Sequence, residues 1–143
     1  MTWVRAGILT GICDALWATA LQLAYGRPVL RVWQGVASVP FGARMLETQA
    51  GVAIGLLLHF CVAFAWSGVL LFLLRHTPPL HPALVGAVFG PLIWIVMSFA
   101  VIPPFTHQLP PVNARWWVQL VGHAVFVGQP MAWSYRDVAW SSR

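Results

Sequence analysis

Gln49–Leu74 reads QAGVAIGLLLHFCVAFAWSGVLLFLL, twenty-six residues without a formal charge. A helix needs about 20 mostly apolar residues to cross the hydrocarbon core of a bilayer, and the surplus leaves room for tilt. This stretch sets the solvent for the rest of the chain, which is lipid rather than water.

Composition agrees. Hydrophobic residues make up 59% of the 143 residues and charged ones only 8%, against roughly 25% charged in soluble domains. Such a chain cannot cover a water-facing surface, and its length suits one domain. The net charge of +5 comes from eight arginines and no lysine. They sit singly at segment ends and form no patch, which argues for topology and head-group anchors and against nucleic acid.

Working outward gives three more spans. The first runs from about Ala6 to Tyr25, the third from about Pro82 to Ile102, and the fourth from about Trp116 to Trp133 or Tyr135. Arg27-Pro28, Arg75-His76-Thr77-Pro78-Pro79 and Pro103-Pro104 close the first three, because proline cannot continue a helix. Trp3, Trp33, Trp116, Trp117, Trp133, Tyr135 and Trp140 flank spans, where amphipathic rings favour the interface. Arg5, a short apolar run and Ala18-Thr19-Ala20 mimic a signal peptide, but Asp14 interrupts the apolar region and more spans follow. An uncleaved first helix is expected.

Between the first two spans, Arg27–Met45 has apolar positions at helical spacing and is too short to cross. It should form a short interfacial helix, ended by Pro40 and Gly42. The proline-rich loop 103–115 should be stiff and extended. The fold expected is an all-α membrane protein, a four-transmembrane-helix bundle with a short interfacial helix between helices 1 and 2. The arginines fall four on each side of such a bundle, so their count leaves orientation open. The reading leans to both termini in the cytoplasm.

Three spans contain Gly-x-x-x-Gly: Gly7/Gly11, Gly51/Gly55 and Gly86/Gly90. The spacing puts both glycines on one face and lets backbones approach closely. They should line seams within the bundle; a homodimer face or room for a flat ligand is the sharper alternative. Gly90-Pro91 should kink the third span. Cys13 and Cys61 have no CxxC partner and read as buried reduced thiols.

Ionisable groups at membrane depth are costly and deserve a functional hypothesis. At about 1.5 Å per residue, Asp14 lies about 13 Å from the N-terminal side, His123 about 16 Å, His59 about 22 Å and Ser98 about 24 Å. Asp14 should therefore meet His123 near mid-membrane. His59 should meet Ser98 towards one side, with Gln129 and Thr10 towards the other. Such an acid–imidazole pair shares a proton and titrates as a unit. It is the minimum hardware of a proton relay and equally of a static interhelical hydrogen bond.

Haem b held by His59 and His123 is a further possibility, with Gly55 and Gly122 making room for the ring. No metal is otherwise expected, since His76 and His81 share a loop without cysteine or carboxylate. Gly-x-Ser-x-Gly, His-Glu-x-x-His and a phosphate-cradling glycine loop are all absent. The three acids, Asp14, Glu47 and Asp137, lie at depths too different to pair. No catalytic residue stands out.

The second half resembles the YagU-like family of small bacterial inner-membrane proteins. The likeness rests on His59, Gly86-Ala87-Val88-Phe89-Gly90, the PPFTHQLPP stretch from Pro103, Gly122-His123-Ala124-Val125-Phe126, and Arg136-Asp137. It implies an inner-membrane location and four helices, and supplies no catalytic residue. Ser98 or a near neighbour stands where the family pattern has a histidine, and Val118 and Gln119 lie in a region where it has acids. The functional expectation is a protein without its own enzymatic activity, an accessory, packing or assembly component of a membrane complex or homo-oligomer. The alternative is a small proton-coupled transporter or proton-sensing pathway through Asp14 and His123, with His59 as a second station.

Overall fold

The computed structural model describes residues 2–78 and 80–136, and among these every regular element is a helix. In order they are α1 (Thr2–Ala24), α2 (Leu30–Phe41), a 3-10 turn (Ala43–Glu47), α3 (Gln49–His76) and α4 (Pro82–Val96). A π segment (Met97–Val101) then leads to α5 (Pro103–Thr106). Last come α6 (Ala114–Gly122), a second π segment (His123–Gly128) and α7 (Gln129–Ser134). Three helices are long and apolar enough to cross a membrane: Trp3–Ala24, Gln49–His76 and Pro82–Thr106. Their outer faces carry residues such as Leu16, Leu57 and Phe72, largely uncovered, a surface suited to acyl chains and ill suited to water.

Local chemistry sets the ends. After α1, Gly26 adopts φ 62°, left-handed geometry that glycine tolerates without strain. This lets the Gly26 and Arg27 amides bond back to the carbonyls of Leu23 and Gln22 at 3.0 and 2.8 Å. Thr48 caps α3, its hydroxyl accepting from the Gly51 amide at 2.9 Å. The other end is closed when the Thr77 hydroxyl donates to the Leu73 carbonyl at 2.9 Å. Asn113 caps α6 through the Trp116 amide.

Several boundaries differ from the sequence reading, most of them at prolines or caps. α1 begins four residues earlier than Ala6, and α3 runs on to His76. Pro40 lies within α2, and Gly42 alone ends it at φ 81°. Pro103-Pro104 do not close the third helix but open the turn α5, since prolines fit a first turn whose amides need no partner. The loop expected to be extended therefore starts helical. Pro91 sits inside α4 without breaking it.

Both π segments precede a proline. The Ile102 amide bonds to Met97 O just before Pro103, and the Gln129 amide bonds to Ala124 O just before Pro130. A five-residue hydrogen bond ahead of a residue with no amide hydrogen is one way a helix re-satisfies its backbone in lipid.

Glycine contacts set the registers. Phe64 and Phe60 of α3 lie over Gly7 and Gly11 of α1. The Trp33 carbonyl of α2 sits against Gly55, and the Met45 carbonyl against Gly51. Gly86 and Gly90 of α4 meet Gly128, Gln129 and the His123 carbonyl. Every Gly-x-x-x-Gly pair is thus filled from within the chain. Beside the third seam, a core of Phe89, Ile93, Val127 and Met131 continues towards Tyr135. Tyr135 is fully buried rather than interfacial, and its hydroxyl donates to the Ser67 carbonyl at 2.9 Å.

Candidate functional site

Where α1, α2, α3, α4 and the 114–134 run converge, they enclose a cavity of about 200 Å³, ample for several waters. Its polar lining is Thr10 and Asp14 from α1, His59 from α3, and Gln119 and His123 from the last run. Trp33, Trp66 and Trp94 form aromatic walls.

Asp14 pairs with His59 rather than with His123. Its carboxylate lies 3.7 Å from His59 Nδ1, and both side chains are mostly buried. Depths counted from span ends missed this pairing because the rings over Gly7 and Gly11, not the ends, fix how α1 slides along α3. The other nitrogen of His59, Nε2, is 2.9 Å from the Gly11 carbonyl. A carbonyl only accepts, so Nε2 carries a hydrogen, and in the neutral ring Nδ1 is bare. Bare Nδ1 and an ionised carboxylate would face each other as two acceptors. At 3.7 Å the two groups lie beyond direct hydrogen-bond range, and a proton or a bridging water between them joins the pair. Trp33 buttresses the imidazole edge-on, with ring centroids 5.3 Å apart.

His123 lines the same cavity without an ion pair to Asp14. Its Nδ1–H donates to the Gln119 carbonyl at 2.8 Å, a bond within its own helix, which leaves Nε2 as the acceptor of the neutral ring. Trp94 packs on it at 4.7 Å between centroids. Among the described residues two buried groups of the lining have no hydrogen-bond partner, Thr10 Oγ1 and the Trp94 indole N–H.

The remaining predicted residues lie elsewhere. Ser98 does not reach His59; its hydroxyl accepts from Trp116 Nε1 at 3.3 Å, so Trp116 is buried rather than interfacial. Gln129 bonds to the Ala83 carbonyl at 2.9 Å and to Trp133 at 3.0 Å. Cys13 and Cys61 are both free thiols, but Cys61 is exposed on the outer face instead of buried. His76 ends α3 and His81 caps α4. Glu47 faces Arg31 at 3.9 Å on the surface, and Asp137 lies outside the described residues.

Haem fits poorly. His59 spends Nε2 on Gly11, the space at Gly55 is taken by the Trp33 carbonyl, and that at Gly122 by the Trp17 indole. Among the described residues no three of His, Cys, Asp and Glu are grouped to hold a metal ion.

Sequence reasoning missed Trp66, Trp94 and Gln119. Trp66 and Trp94 stand mid-span, away from the interface that indoles favour; that displacement was the signal. Gln119 is positioned by Trp17, whose indole N–H donates to its Oε1 at 3.1 Å.

Compared with known proteins, the chain matches no family model, no curated protein and no solved structure.

Proposed function

We propose that the protein is a four-span component of a bacterial cytoplasmic membrane that moves or senses protons through its central cavity. In this reading the 114–134 run is the fourth span. It is long enough to cross, although Gln119, His123 and Gln129 lower its hydropathy. α2 lies near the interface and roofs the cavity with Trp33. The resemblance to the YagU-like family is compatible with this location.

The observation that carries the reading is the Asp14–His59 pair, an acid and an imidazole 3.7 Å apart in a polar cavity, with the other ring nitrogen of His59 held by the Gly11 carbonyl. His123, on the far wall, is a second station, and waters between them would complete the path. The deciding experiment reconstitutes the protein in vesicles holding a pH-sensitive dye, under an imposed potential. Proton entry above the protein-free rate, lost in Asp14→Asn, supports the reading. Wild-type vesicles no leakier than empty ones refute it. The pair is then a static interhelical bond, and the accessory or assembly role in a larger membrane complex takes its place.

A further inference from the structure

A second concavity opens beside the central cavity, with a volume of about 380 Å³, within the range of small-ligand sites. Arg27 and Arg115 both line it, together with Asn113, Gln119, Trp94 and Trp116. Among the described residues neither arginine has a carboxylate within ion-pair distance.

Arg115 is held in place. One guanidinium N–H donates to Gln22 Oε1 at 3.4 Å, and the group lies 5.4 Å from the centre of the Tyr25 ring. Most of its donors remain unspent. Two like charges gathered in one groove raise its free energy until an anion enters. The capped start of α6 adds the positive end of a helix dipole at the same place.

The geometry points to a phosphate group bridged between Arg27 and Arg115. Guanidinium forks match phosphate oxygens two at a time, and the paired positive charge suits a phosphate mono- or diester. The level fits as well: Tyr25 and Trp117 beside the groove are exposed aromatics, of the kind that sit among lipid head groups. Basic pockets between membrane helices take anionic head groups, so the phosphate has two possible sources, an acidic phospholipid or free phosphate. The site shares only the walls Trp94 and Gln119 with the proton cavity and stands whether or not that cavity conducts.

The test uses the purified full chain in phosphatidylcholine nanodiscs and measures binding of added phosphatidylglycerol, and separately of inorganic phosphate. Binding of either ligand, weakened about tenfold or more in Arg115→Gln and in Arg27→Gln, supports the site. The ligand bound identifies the source. Arg27 is exposed and outside any helix, so Arg27→Gln keeps the test available if the Arg115 variant fails to fold. Arg115→Lys, which keeps the charge and loses the fork, should bind more weakly than wild type. No binding of either ligand, or binding unchanged in both Gln variants, overturns the proposal.

Discussion

His59 touches α1 twice: Nε2 reaches the Gly11 carbonyl at 2.9 Å, and Nδ1 faces the Asp14 carboxylate at 3.7 Å. One imidazole thus reads both a backbone and a side chain three residues apart on the same helix face. His59→Gln retains one donor for Gly11 and loses the ring nitrogen that faces Asp14. We expect it to fold, keep its detergent stability within about 1 kcal/mol, and lose dye-reported proton entry as Asp14→Asn does. Equal loss of folded protein and flux would mark the residue as structural only.

The seam between α4 and the 114–134 run leaves no room for an added methyl. A methyl at Gly90 would strike the His123 carbonyl, and one at Gly128 the Gly86 carbonyl. Gly90→Ala and Gly128→Ala should each cost about 1–3 kcal/mol, the usual penalty for overpacking, in reversible unfolding from mixed micelles. Gly35 in α2 has open space around it, so Gly35→Ala should instead stabilise by about 0.5–1 kcal/mol.

Tyr135 is fully buried and its hydroxyl donates to the Ser67 carbonyl. Tyr135→Phe keeps the ring and removes the bond. The expected loss is about 0.6 kcal/mol, typical of hydrogen bonds between membrane helices, measured in the same unfolding assay.

If the 114–134 run is a fourth span, as proposed, Gln108 lies on one side of the bilayer and Thr77 and Arg136 on the other. Single cysteines at these positions, in a background lacking Cys13 and Cys61, should react with an impermeant maleimide accordingly. Labelling of Arg136→Cys together with Gln108→Cys would reduce the spans to three.

How much of this was legible beforehand depends on which interaction decides. The apolar lengths announced α1, α3 and the Pro82–Thr106 run, because crossing lipid is a matter of length and composition. The grouping of Asp14 with His59 was not legible, since it follows from how two phenyl rings seat on two glycines, a contact between distant parts of the sequence. Trp33 and Tyr135 were read as interfacial by type, yet a carbonyl against Gly55 and a hydroxyl against Ser67 draw them inward. The wide turns before Pro103 and Pro130 had a local sign in the prolines, but whether a helix bends, breaks or widens there depends on its neighbours.

The turn before Pro130 also governs which way the last helix looks. Each residue of an α-helix advances the side-chain direction by about 100°, so one extra residue within a turn shifts everything after it by that angle. Gln119 precedes the wide turn and His123 begins it, and both look into the cavity that Asp14 shares; Met131, beyond the turn, lines the same cavity while its neighbour Gln129 reaches across to α4 at Ala83. The added residue thus lets one rod hold its place on the cavity wall and still swing an amide towards the adjoining helix.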